Sequence, residues 1–170
     1  MAVTDSETLE AFAARLLSEF DTPEDLARKV AESLVDADLN GHTSHGVLRI
    51  PTYGQMVEDG ILVPDASPAL VSENGATAVL DGKGAYGQIV GRVAVDILLE
   101  KAGTHGMASV GIRNGTHLGR IGEWAERIAG EGFLFLSLVH TSGGGLVVAP
   151  AGSTTRRFST IRCPPMLREA

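Results

Sequence analysis

The amino-acid sequence predicts a mixed α/β (α+β) fold: a helical N-terminal piece, then a mixed sheet flanked by helices. Three observations carry that expectation. Residues 5–39 show helical spacing of apolar positions twice in succession. Two short runs, "PALVSENG" and "ATAVLDG", meet at a Glu-Asn-Gly turn and have strand character. From residue 86 onward, helix-type and strand-type patterns alternate.

The elements follow in order. Thr4 and Glu7 form a capping box, and Leu9, Phe12, Ala13 and Leu16 share one face, so a first helix is expected over 5–20. Thr22 is expected to cap a second helix with Pro23 at its first position, and Leu26, Val30 and Leu34 recur at steps of four. Asn40-Gly41 supplies the stop. Residues 41–68 hold three prolines and several glycines and read as a loop with one short helix near 47–58. The two strands come next. "YGQIVGRVAVDILLEKAGTHG" reads as a helix with Ile89, Val93, Ile97 and Leu98 inward and Asp96 and Glu100 outward. "MASVGIR" reads as a strand, "GRIGEWAERIAGEG" as a helix, and "FLFLSLVHT" as a buried strand. No internal repeat is present.

Composition bounds the function. With 44% hydrophobic and 21% charged residues the chain has the balance of a globular domain. A net charge of −7 argues against nucleic acid, whose phosphates call for clustered Lys and Arg. No apolar run has the length of a membrane span, so no membrane role is expected. The acidic, polar start "MAVTDSETLE" is not a secretory signal, and the single Cys163 has no internal disulfide partner; a reducing cytoplasm is expected. The acidic balance reverses in residues 156–170, where Arg156, Arg157, Arg162 and Arg168 face only Glu169.

Five stretches could carry chemistry. "GKGAYG", Gly82–Gly87, matches G-x-G-x-x-G between a strand and a helix, as a dinucleotide fingerprint would. No acid closes the following strand, and Arg113 lies 31 residues beyond Gly82. A glycine-rich strand-to-helix turn is the plain alternative. His42-x-x-His45 lacks the further ligands of a zinc site, so no metal is expected. No G-x-S-x-G supports Ser44 as a nucleophile, and "SGGG" from Ser142 is either an anion nest or a flexible turn. His45, Arg49 and Tyr53 fall at four-residue steps. An imidazole exchanges protons near neutrality, and a guanidinium grips a carboxylate through two parallel hydrogen bonds, so the three suit a 2-keto or 2-hydroxy acid. The alternative is that both histidines merely satisfy loop carbonyls. His117, in "RNGTHLGRIGEW", sits where a loop enters a helix; either it serves a bound anion, with Asn114 and Thr116 beside it, or Thr116 is an ordinary helix cap.

"ADLNGHTSHGVLRIPTYGQMVEDGILVPDASP" resembles the N-terminal signature of the type 2 malate/L-lactate dehydrogenase family. "VLDGKGAYGQIVGRVAVDILLEKA", "VGIRNGTHLGRIGEWAERIAGEGF" and "LVHTSGGGLVVAPAGSTTRRFST" continue the likeness in order, over about residues 5–160. The resemblance implies a cytoplasmic homodimer with a fold that is not of the Rossmann type. It implies a hydride exchange between NAD or NADP and a small 2-hydroxy/2-keto acid, or a related imine. It makes His45 and His117 catalytic, assigns Arg49 and Tyr53 to substrate and Asn114 and Thr141 to cofactor, and gives the Gly82–Gly87 turn a structural role.

On this reading residues 1–65 form a helical subdomain with the active-site loop and 66–150 an incomplete cofactor-side subdomain. Residues 151–170 form an aberrant, disordered tail. After Pro150 the chain departs from the family pattern: Ala151 replaces an aromatic, and "STIRCPPM" stands where G-T-N-P is usual. The expectation is a truncated member whose reading frame is lost near Thr160, with weak or no activity and a sheet edge left open. A catalytically inactive binding or dimerisation module on the same half-fold is the competing reading.

Overall fold

The computed structural model describes residues 4–139 together with Gly152, Thr154 and Thr155. A first compact unit ends at Trp124. It begins with two helices, α1 (Ser6–Ser18) and α2 (Glu24–Leu39), as the apolar spacing requires. The caps differ from expectation. Asp5, not Thr4, caps α1: its carboxylate accepts from Thr8 N and from the Thr8 hydroxyl, each at 2.8 Å. A carboxylate is the stronger acceptor and complements the positive helix end. Thr22 does not cap α2 either. Its buried hydroxyl shares a 2.8 Å hydrogen bond with the Tyr86 hydroxyl, and Pro23 takes the cap position without a side-chain bond. The tertiary bond wins because the Tyr86 hydroxyl would otherwise be buried without a partner.

α1 and α2 pack Ala13, Leu17, Ala27, Val30, Ala31 and Leu34 into one core with Ile50, Leu62, Tyr86 and Ile89. Each fully buried Leu or Val there contributes about 1.5–3 kcal/mol. α2 ends where Gly41 takes φ +75°, a left-handed turn that glycine adopts without a Cβ penalty. Two 3₁₀ turns, Thr43–His45 and Val47–Arg49, lead directly into α3 (Ile50–Glu58).

β1 (Ala69–Asn74) and β2 (Thr77–Asp81) form an antiparallel hairpin. From β2 the chain crosses through α4 (Gly87–His105) to β3 (Ser109–Arg113), which pairs parallel to β2 from Thr77↔Ser109 to Asp81↔Arg113. A parallel pair needs such a crossover. The sheet order is β1-β2-β3, a mixed sheet as expected. α4 is buried on more than the expected stripe: Gln88, Ile89, Val90, Ala94, Val95 and Ala102 are buried, while Val93, Ile97 and Leu98 are half-buried. The helix serves two cores. Ile89 joins the helical one, whereas Val90 and Ala94 meet Leu80 and Ala85 against the sheet.

The loop after β3 leads into α5 (Ile121–Gly130). Polar contacts tie its start to α2 and α4. Glu123 accepts from the Ser33 hydroxyl and stands 3.6 Å from Arg92, which also pairs with Glu32 at 3.0 Å. Arg120 pairs with Asp36 at 2.6 Å.

In the second unit, the expected buried strand "FLFLSLVHT" is not formed over 133–139. Leu134, Leu136 and Leu138 are 76%, 66% and 76% exposed, and the intervening residues are half-buried. The period-two alternation of a strand is present, but among the described residues no strand pairs with this segment, and a strand exists only through its ladder. Its last residues, His140 and Thr141, lie outside the described residues, as does the expected tail apart from Gly152, Thr154 and Thr155.

Candidate active site

Two loops meet over the helical core. The first runs from Gly41 to α3. His42 N donates to Ala37 O at 2.8 Å, and Val47 N donates to the Asp38 carboxylate at 2.9 Å. Gly46 lies flat on that carboxylate; a Cβ there would overlap it. Arg49 Nε donates to Ser44 O at 2.7 Å, and the Ser44 hydroxyl lies 2.9 Å from His45 Nδ1. The Ser-His turn is therefore braced from both sides, with His45 and Arg49 half-buried at its surface. Tyr53, one turn into α3, is buried at 1% exposure. His42 is exposed, with Nδ1 2.8 Å from Asn40 O, so it satisfies a loop carbonyl, as the plain reading held.

The second loop, Asn114–Gly119, sits on the Gly82–Gly87 turn. Gly84 N donates to Asn114 O at 2.9 Å, and the Thr116 hydroxyl donates to Ala85 O at 2.7 Å. Thr116 is thus a brace between loops and not a helix cap. A Cβ on Gly87 would overlap the His117 carbonyl and stand 2.6 Å from Leu118 N; one on Gly82 would stand 2.8 Å from Asn114 O. Gly82 and Gly87 allow this backbone-to-backbone approach, while Gly84 takes φ +74° against Ile61 O and Val63. Asn114, at φ +51°, donates its amide to the Asp81 carboxylate at 3.1 Å, and Asp81 also pairs with Arg113 at 3.0 Å. Asn114 holds the end of β2 here.

The loops bring four of the six sequence-proposed residues together. The His45 and His117 rings stack with centroids 5.3 Å apart at 29°. His117 Nδ1 lies 3.0 Å from the Tyr53 hydroxyl. Arg49 stands close enough for its charge to bear on both Tyr53 and His117. Thr141 lies outside the described residues. Sequence reasoning missed Gln88, which is fully buried and donates to the Tyr53 hydroxyl at 2.7 Å. Its signal was a polar residue on the otherwise apolar buried face of α4. It also missed Asp38, whose carboxylate at the end of α2 shapes the Ser-His turn.

The electrostatics follow from burial. Loss of solvent, reinforced by the positive charge of Arg49 and by His45, lowers the His117 pKa from 6.5 to about 4. Burial raises that of Tyr53 to about 12, against the opposing effects of Gln88 and Arg49. Both groups are neutral at pH 7. Among the described residues no carboxylate pairs with Arg49, and no group of three or more His, Cys, Asp or Glu could hold a metal ion. The arrangement offers a small anion one guanidinium, two imidazoles and a buried phenol.

Residues 4–161 match the malate/L-lactate dehydrogenase family model, and the chain belongs to that family. It is 38% identical over 156 residues to hydroxycarboxylate dehydrogenase B of Escherichia coli (strain K12), covering 92% of this chain and 43% of that protein. Among solved structures, sulfolactate dehydrogenase from Methanocaldococcus jannaschii matches with a TM-score of 0.85 at 31% identity, over 94% of this chain and 45% of that one. Malate dehydrogenase from Pyrococcus horikoshii OT3 matches at 0.83 and 32%, over 91% and 44%. The chain therefore spans less than half the length of the relatives it matches. No helix among the described residues is long and apolar enough to cross a membrane.

Proposed function

We propose that this chain supplies the substrate side of a nicotinamide-dependent oxidoreductase acting on a small 2-hydroxy/2-keto acid or a related imine. The observation that supports it most is the convergence of His45, His117, Arg49 and Tyr53 at one place, with Tyr53 on α3 and His117 on a loop 64 residues later in the chain. Arg49 grips the substrate carboxylate by a charge-assisted pair of hydrogen bonds. One of the two imidazoles exchanges the proton of the C2 hydroxyl. Orientation of the small acid between a fixed guanidinium and fixed rings accounts for much of the rate gain.

The coenzyme on this reading is NAD or NADP. Among the described residues, Gly82 and Gly87 pack against the 114–118 backbone, and the Asn114 amide is engaged with Asp81. The proposal extends to a homodimer in the cytoplasm, and to a working division in which residues 1–65 carry the substrate loop and 66–150 the coenzyme side. Thr141 and Asn114 are the proposed coenzyme contacts from the family likeness, Asn114 by exchanging its bond to Asp81 for one to the coenzyme.

The test is a spectrophotometric assay of the purified chain with L-lactate and L-malate and each coenzyme, run beside the His45→Ala variant. Reduced coenzyme should accumulate slowly with the wild type, at the weak rate expected of a chain under half the length of its relatives, and fall at least about 100-fold with the variant, the usual scale of lost proton-transfer catalysis. Turnover that survives His45→Ala unchanged would defeat the assignment.

A further inference from the structure

We propose that Gln88 is a positioning residue: through Tyr53 it holds the His117 ring as the Nε2–H tautomer, so that His117 offers a hydrogen-bond donor, not a lone pair, to the oxygen of a bound 2-keto acid. The proposal rests on the functional reading above only for what the ring then faces. The tautomer itself follows from the buried chain of bonds.

Gln88 lies in the first turn of α4, fully buried and packed under Gly119, whose Cβ would stand 3.4 Å from Gln88 Nε2. Its Nε2 donates to the Tyr53 hydroxyl at 2.7 Å. The same hydroxyl lies 3.0 Å from His117 Nδ1. A phenol carries one proton. The phenol oxygen accepts from Gln88, and its single proton, which would otherwise be buried without an acceptor, goes to His117 Nδ1. A neutral imidazole with an accepting Nδ1 carries its single proton on Nε2, at the ring edge away from Tyr53. Burial keeps the phenol protonated and the imidazole neutral across the neutral range, so the chain keeps its polarity there.

A neutral imidazole N–H polarises a carbonyl oxygen without giving up its proton. His45, stacked on His117, then remains as the ring that exchanges the proton. Gln88 has a second unusual feature: among the described residues its buried Oε1 has no partner. Turning the amide over would let Oε1 accept from Tyr53, Tyr53 accept from His117 Nδ1–H, and leave Nε2 bare as a base. One amide orientation therefore decides whether His117 is a donor or an acceptor.

The test is long-range ¹H–¹⁵N correlation NMR of the histidine rings in the full 170-residue chain at pH 7, with neither substrate nor coenzyme. The expected spectrum gives His117 a pyrrole-like Nε2 and a pyridine-like Nδ1. A pyrrole-like Nδ1, or two nitrogens averaged to intermediate shifts, overturns the proposal. In Gln88→Met, which keeps the length of the side chain and removes its donor, both nitrogens should move toward intermediate shifts; an unchanged Nε2–H ring would show that Gln88 has no part in it. If that variant does not fold, the wild-type spectrum still decides. An Nε2–H ring in a chain that binds no pyruvate would defeat the functional reading and leave the Gln88 assignment intact.

Discussion

Replacing Gly87 with alanine should cost far more than the same change sixteen residues later in the same helix. In an ordinary helix interior, alanine is favoured over glycine by about 1 kcal/mol. Gly103 is such a position: nothing lies within 4 Å of a Cβ there, so Gly103→Ala should stabilise by about 0.5–1 kcal/mol. At Gly87 the added methyl overlaps the His117 carbonyl and sits 2.6 Å from Leu118 N, and these are backbone atoms with no rotamer to change. Overpacking of this kind costs about 1–3 kcal/mol. To make room, the 114–118 loop must also loosen the bonds from Thr116 to Ala85 O and from Gly84 N to Asn114 O, at about 0.5–1.5 kcal/mol each. The net loss should be about 2–5 kcal/mol. Urea unfolding followed by Trp124 emission reads it directly, because the buried indole donates to Leu118 O at 3.0 Å and so reports on this loop. Equal stability of Gly87→Ala and Gly103→Ala would refute the role given to the glycine turn.

Three further outcomes are expected. Because the folded His117 pKa is about 4 against 6.5 unfolded, its contribution is fully present above pH 6.5 and is lost as pH falls through 4, by of order 3 kcal/mol. His117→Gln should flatten the stability profile in that window relative to wild type, and parallel profiles would contradict it. Tyr86→Phe removes the buried bond to Thr22 and leaves that hydroxyl without its partner, so denaturation midpoints should report a loss of about 1–3 kcal/mol. Gly46→Ala drives the Asp38 carboxylate off Val47 N; fluorescence-detected stability should fall by about 1–3 kcal/mol, and an unchanged midpoint would show that the Ser-His turn is not seated on Asp38.

Local chemistry made much of the fold legible. The helices at 6–18 and 24–39 follow from apolar spacing, the stop at Asn40-Gly41 from backbone preference, and the hairpin from its glycine turn. What the sequence hid was set by partners distant along the chain. Thr22 reads as a cap, but Tyr86, 64 residues on, claims its hydroxyl. The inward face of α4 could not be assigned from one periodicity because the helix fills two cores. The segment 133–139 has the alternation of a strand without a ladder partner among the described residues. At the site, His45, Arg49 and Tyr53 were legible because four-residue steps place them on neighbouring turns. The contact with His117 is a product of the glycine turn, and Gln88 is visible only once Tyr53 is seen to need a second partner.

The most direct measurement of the central claim is pyruvate binding to the wild-type chain and to Arg49→Ala, titrated through Trp124 emission at low salt. A guanidinium–carboxylate pair contributes about 1.5–3 kcal/mol, so the variant should bind about 10- to 100-fold more weakly. Equal affinity in the two proteins would contradict the assignment of this two-histidine, one-arginine cluster to a small carboxylic acid.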